Sequence, residues 1–230
     1  MQPASTEPTL EPASPVCPGH DRYRFVGPRY EQLTKLASGS AIAACRHAAI
    51  EDIAPGQRVL VVGAGHGCEA IAAAQAGADV TVVELSATML RCLRDRAGDT
   101  RLRLIHGDAL DHHERYDLVV VNFFLNVFGD GDMQRMRRHL VGRVGVGGTI
   151  AIGDFIVDGG AVLRFVQTAH WYLALVTFSI LAGNALRPWR DHALALVDDG
   201  FELDVDRRFS VLGLPLYASQ RFRAVRHGDA

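Results

Sequence analysis

The segment Arg58-Val-Leu-Val-Val-Gly-Ala-Gly-His-Gly-Cys-Glu-Ala70 breaks from an apolar run into three alternating glycines and then turns helical. Val59 to Val62 are consecutive apolar residues, as a strand buried on both faces of a parallel sheet requires. Cys68 to Ala78 is alanine-rich with Gly77 at its end, the pattern of a short helix. Glycines 63, 65 and 67 allow φ > 0 and leave the backbone bare, so a flat ligand can lie against the turn. Strand, glycine turn and helix in this order commit the chain to an α/β fold.

The downstream pattern extends that unit. Strands are expected at 58–62, 80–84, 102–105, 117–122 and 148–153, with helices at 68–76, 86–97 and 130–143 between them. After a helix at 190–198 and a turn at Asp198-Asp-Gly200, strands near 201–207 and 221–226 form a closing antiparallel pair. The expected fold class is a Rossmann-like, doubly wound, mostly parallel seven-stranded sheet with an antiparallel closing strand and a helical lid. Its crossovers should be right-handed and its ligand should lie at the carboxyl ends of the strands.

The lid is assigned to an insertion at 161–190. Its uninterrupted apolar part, Trp171 to Ala182, is about a dozen residues against the ~20 that span a bilayer, so a lid or core helix is expected and no membrane span. Upstream, a helical pattern runs from Tyr30 to Ile53, with a break suggested at Gly39. Residues 1–20 are proline-rich and polar and are expected to be a disordered tail, leaving one domain over 21–230.

Composition narrows the partners. The net charge of −2 offers no field for a polyanion and no basic stripe carries interleaved aromatics, so nucleic acid is not expected. The arginine-rich stretch around Arg135, Arg137, Arg138 and Arg143 reads as a solvated helix face. Cysteines 17, 45, 68 and 92 form no CxxC pair, which fits a reducing cytoplasm. A monomer or a homodimer is expected.

The glycine spacing departs from the dinucleotide pattern Gly-x-Gly-x-x-Gly, because Gly67 arrives one position early. Glu84 ends the second strand about 20 residues after the first glycine, where a carboxylate can accept both ribose hydroxyls of an adenosine. Asp108, just after the third strand, can accept from an adenine amino group. Two carboxylates at successive strand ends beside a glycine turn point to an adenosine-containing cofactor.

These motifs, together with Tyr30-Glu-Gln-Leu, Tyr116-Asp-Leu-Val-Val-Val-Asn122 and Gly147-Gly-Thr-Ile-Ala-Ile-Gly-Asp154, resemble those of the class I S-adenosylmethionine-dependent methyltransferases, in particular the small-molecule branch similar to the quinone-biosynthesis enzymes. The resemblance covers residues 28–154 well and the remainder loosely. It implies S-adenosyl-L-methionine as cofactor, with Gly63, Ala64, Gly65, His66 and Gly67 facing its methionine portion and ribose, Glu84 on the ribose and Leu85 flanking the adenine. Asp108 and Ala109 would read the adenine edge, Asn122 and Phe123 would sit near the sulfonium and the acceptor, and Tyr30 would close over the methionine tail. One position departs: the acid usual two residues before the first glycine is Val61 here, and His66 stands where Thr or Ser is common.

Methyl transfer is an in-line displacement, so the protein must align acceptor and methyl and exclude water. His170, in the apolar lid beside Trp171 and Tyr172, is the candidate general base. Phe123, Trp171 and Tyr172 are candidate acceptor contacts, with Phe165, Phe178, Trp189 and Tyr217 as further pocket residues suited to a flat or lipophilic small molecule. No metal is expected, since adjacent His112 and His113 would have trouble converging on one ion with His106, Asp108 and Asp111. The competing readings are a non-catalytic S-adenosylmethionine-binding sensor or partner protein, transfer of another group from the sulfonium, and a nicotinamide enzyme.

Overall fold

The computed structural model describes residues 10–12, 40–182 and 186–225. Tyr30 and the first part of its expected helix lie outside them. In chain order the elements are β1 (Leu10–Pro12), α1 (Ala41–Ala48), β2 (Arg58–Val62), α2 (Cys68–Gln75), β3 (Asp79–Glu84), α3 (Ala87–Ala97), β4 (Arg103–His106), β5 (Tyr116–Asn122), α4 (Asp130–Val141), β6 (Val144–Phe155), α5 (Ala161–Ala182), α6 (His192–Asp198), β7 (Phe201–Val211) and β8 (Leu214–Ala224).

The strands form one sheet in the order β1-β4-β3-β2-β5-β6-β8-β7. Pairing is parallel from β1 through β6 and antiparallel where β8 joins β6 and β7. All seven expected strands are present as β2–β8. An eighth, β1, lies in the tract expected to be a structureless tail: Leu10, Glu11 and Pro12 pair with Leu104, Ile105 and His106. An edge strand needs only backbone partners and tolerates proline, so hydrophobic patterning carries no sign of it.

The valine runs are explained by burial on both faces. Leu60, Val62, Val119, Val121, Ile150 and Ile152 pack in one cluster with Met133, Met136 and Leu140 of α4 and Leu196 of α6. Val59, Val61, Val80, Val82, Val120 and Ala151 pack in a second with Ala70 and Ala73 of α2 and Leu90 and Leu93 of α3. On α4, Met133, Met136 and Leu140 recur at helical spacing on the buried side, while Arg135 and Arg138 are exposed and Arg137 pairs with Asp199.

The lid segment is a single 22-residue helix, α5. Gln167, Trp171 and Leu175, four apart, are its buried stripe. Phe165 and Tyr172 are on the outer side, so the expectation that both face a pocket is corrected: consecutive helical positions are rotated by ~100°, and with Trp171 inward its neighbour points away. Among the described residues, no helix is long and apolar enough to cross a membrane.

Candidate functional site

The glycine turn sits at the carboxyl end of β2, where β3 and β5 flank β2 on opposite sides and the strand order reverses. Gly63, Gly65 and Gly67 have φ of +59°, +57° and +66°. A Cβ at Gly63 would lie 2.3 Å from Phe124 Cδ2, and one at Gly67 would lie 2.2 Å from Leu93 Cδ1. These two glycines are required by packing as well as by backbone conformation. At Gly65 a Cβ would meet, among the described residues, only Arg46 Nη2 at 3.8 Å, so its glycine answers to conformation and to whatever lies over the turn.

Glu84, at the end of β3, is buried and its carboxylate is fixed by backbone donors: Oε2 accepts from Gly65 N–H at 3.3 Å and Oε1 from Ser86 N–H at 2.9 Å. Ser86 in turn caps α3 by accepting from Met89 N–H. Leu85 is exposed beside it, and His106 donates to its carbonyl. Asp108 is exposed and caps the turn at Ala109–Asp111 by accepting from Leu110 N–H at 2.9 Å, with Ala109 buried beneath it. The glycines, Glu84 and Leu85 therefore meet at one strand edge, with Asp108 one strand beyond. His66 is buried, and its Nδ1 accepts from Arg96 of α3 at 3.3 Å.

Asn122 ends β5 with its side chain buried. Nδ2 donates to the Arg46 carbonyl at 3.4 Å and Oδ1 has no hydrogen-bond partner among the described residues. Phe123 follows at φ +52°, a left-handed conformation that an aromatic residue rarely adopts, held by its N–H donating to Gly153 O at 2.7 Å. That twist delivers the Phe123 ring to an aromatic group with Phe155 and Tyr217, centroids 5.7 and 5.8 Å away. His170 and Trp171 of α5 complete it, packing on Phe155 at 5.6 and 5.2 Å. His170 Nε2 and Tyr217 hydroxyl share a hydrogen bond of 2.8 Å. Burial holds the His170 imidazole below its ordinary pKa, hence neutral near pH 7, and raises the Tyr217 phenol above its ordinary value. Trp189 joins from outside by donating Nε1–H to Phe155 O.

On the opposite face of β6 lies a buried polar group that residue spacing did not suggest. Asp154 Oδ1 accepts from Asn126 Nδ2 at 2.9 Å and from Phe155 N–H at 2.8 Å, while Oδ2 lies 3.6 Å from His192 Nε2. Arg187 donates to Leu125 O at 3.2 Å and stacks over Trp171 at 5.7 Å. Burial pushes the Asp154 carboxyl up to about 6, against the pull of Phe155 N–H, Asn126 and Arg187. Burial, then the Arg187 and Arg137 charges, push His192 down to about 3. Asp154, Phe155, Trp189, His192 and Arg208 line a cavity of about 120 Å3 beside it.

Among the described residues, no group of three His, Cys, Asp or Glu side chains is placed to hold a metal ion. His112 is engaged with the Tyr116 hydroxyl at 2.8 Å, and His113 packs edge-on against His139.

A parallel sheet closed by an antiparallel pair, with the glycine turn, a buried carboxylate and an asparagine at its strand ends, matches the class I methyltransferase fold. Residues 59–148 match the protein family described as a methyltransferase domain, a stretch that runs from the strand before the glycine turn into β6. It is 34% identical over 106 residues to a demethylmenaquinone methyltransferase of Clavibacter sepedonicus, a match covering 44% of this chain and 43% of that protein. The chain thus matches less than half of that relative's length. In three dimensions it is similar to the magnesium protoporphyrin IX methyltransferase of Synechocystis with bound S-adenosylhomocysteine, with a TM-score of 0.68, 16% identity, and coverage of 90% of this chain and 98% of that one. An N-methyltransferase from Bradyrhizobium japonicum in complex with S-adenosylhomocysteine is similar at a TM-score of 0.57 and 15% identity, covering 87% and 88%. At these identities the structural likeness shows the shared fold.

Proposed function

We propose that this chain transfers a methyl group from S-adenosyl-L-methionine to a small aromatic or lipophilic acceptor. The observation that carries the reading is the Glu84 carboxylate, buried at the end of β3 and oriented by the N–H groups of Gly65 and Ser86. A buried carboxylate set at a strand end beside a bare glycine turn is the group that recognises the pair of vicinal hydroxyls a ribose presents.

When bound, the cofactor supplies an electrophilic methyl on a sulfonium, already a good leaving group. The chain's own residues do the rest. Glu84 anchors the ribose, Leu85 and Ala109 flank the base, and Asp108 offers its second carboxylate oxygen to the adenine amino group. Asn122 Oδ1 is a buried acceptor without a partner among the described residues at the strand end facing the reacting centre, and such a group is stabilised by a polarised C–H or a bound polar atom. Phe123, Phe155, Trp171 and Tyr217 exclude water and present ring edges and faces to a flat acceptor. His170, neutral and paired with Tyr217, takes the acceptor's proton where the acceptor is a hydroxyl or an acidic carbon. The demethylmenaquinone relative makes a demethylated quinone the first acceptor to test. A cytoplasmic setting belongs to the same proposal; among the described residues, Cys45 and Cys92 are free thiols.

The test is calorimetric titration with S-adenosylhomocysteine, followed by mass spectrometry of products from quinol, phenol and amine acceptors. Folded Glu84→Ala should lose cofactor affinity, and full retention would refute the assignment. A second reading, a cofactor-binding protein without catalysis, is favoured by one observation: Val61 fills with buried hydrocarbon the position where the family usually has an acid. Tight cofactor binding with no methylated product from any acceptor would support it.

A further inference from the structure

Val61 is buried in the apolar cluster against α2, so no carboxylate can reach a ligand from β2. Two charged side chains converge on the glycine turn from elsewhere. Arg46, in the last turn of α1, brings Nη2 to 3.8 Å from where a Gly65 Cβ would stand, and its guanidinium lies 5.9 Å from the centre of the Phe123 ring. Its backbone is pinned over the strand ends, since Asn122 Nδ2 donates to the Arg46 carbonyl and Cys45 Sγ–H donates to Ala218 O at 3.3 Å. Glu69, second residue of α2 just past Gly67, is 2% exposed. Its Oε1 lies 3.8 Å from Arg46 Nε, an ion-pair distance too long for a hydrogen bond, and its Oε2 is buried with no hydrogen-bond partner among the described residues.

We infer that Arg46 and Glu69 form the clamp for the zwitterionic α-amino acid end of the cofactor, Arg46 binding the carboxylate and Glu69 the ammonium, in place of the acid that Val61 displaces. The inference rests on the proposed cofactor and concerns which residues of this chain hold its tail. A guanidinium and a carboxylate side by side match the two opposite charges of an amino acid. A buried carboxylate oxygen without a donor is stabilised by an ammonium that supplies three. The arrangement also accounts for Gly65, because any side chain there would enter the space between Arg46 and the turn.

The experiment is calorimetric titration of the full chain with three ligands: S-adenosylhomocysteine, its decarboxylated analogue, and 5′-methylthioadenosine, which keeps the adenosine and lacks the amino acid. Each side chain supplies a charge-assisted hydrogen bond to the amino acid end, so Glu69→Gln and Arg46→Leu should each weaken S-adenosylhomocysteine about 10- to 100-fold. Both variants should bind 5′-methylthioadenosine within about twofold of wild type, and Arg46→Leu should leave the decarboxylated analogue unchanged. Equal losses for S-adenosylhomocysteine and 5′-methylthioadenosine would overturn the clamp in favour of a structural role for the pair, as would no loss for either. If wild type binds none of the three, the cofactor reading itself falls. Glu69→Gln is isosteric and carries the test should Arg46→Leu fail to fold.

Discussion

Replacing Asp154 by Asn should change how stability depends on pH, with a sign set by the burial of two opposed groups. The Asp154 carboxyl is raised from 3.8 to about 6, so between those values the native state holds a proton that the unfolded chain has released, and stability falls as pH rises through the window. At 1.36 kcal/mol per unit, ionised Asp154 disfavours the native state by about 3 kcal/mol at pH 7. His192 acts oppositely. Its pKa drops from 6.5 to about 3, so the unfolded chain takes the proton first and stability falls as pH drops, by about 5 kcal/mol in full. Between pH 4 and 6 the two slopes cancel. In Asp154→Asn, Asn keeps an oxygen for Asn126 and Phe155 N–H and His192 is left unopposed. Urea denaturation from pH 4.5 to 7.5 should show the variant gaining about 2 kcal/mol on wild type by pH 7, the other ~1 kcal/mol of the difference having built up below pH 4.5. Titration of other groups is common to both proteins and drops out of the difference. Parallel curves would refute the argument, because they would mean that Asp154 titrates alike in the native and unfolded chains.

Gly63→Ala should destabilise by about 2–4 kcal/mol, combining left-handed strain with overpacking against Phe124, read as a lowered denaturation midpoint. Gly65→Ala meets no such wall and should cost only about 1 kcal/mol of stability while crowding the ligand face, so thermal melts and S-adenosylhomocysteine titrations should rank the two variants in opposite order. Gly153→Ala would drive a Cβ to 2.5 Å from Asn122 Oδ1 and should displace that side chain, lowering turnover more than cofactor affinity. His170→Asn should reduce turnover at least ~10-fold with an acidic acceptor and flatten the acid limb of its pH profile, with cofactor affinity unchanged. Retained turnover would leave His170 a packing residue.

The strand, glycine turn and helix of residues 58–75 were legible in the sequence because each is encoded locally, by burial of Val59–Val62 on both faces, by positive φ at three glycines and by an alanine-rich run. Glu84, Leu85 and Asp108 followed, since a parallel sheet puts consecutive strand ends along one edge. The site beyond that edge depends on contacts between distant segments and leaves no periodic trace. His170 meets Tyr217 only because α5 folds back over the β6–β8 pairing, and Asp154 gathers Asn126 from the β5–α4 connector and His192 from the start of α6. Which of Trp171 and Tyr172 faced inward was set by helix rotation against Phe155, and the contact of His66 with Arg96 spans 30 residues of chain. Arg46 and Glu69, single charged residues on two ordinary helices, were missed for the same reason; the one trace of them was the acid absent at Val61. Sequence determined the cradle because its physics acts between neighbours in the chain, and tertiary structure decided what stands around it because those side chains are brought together only by the packing of helices on the sheet.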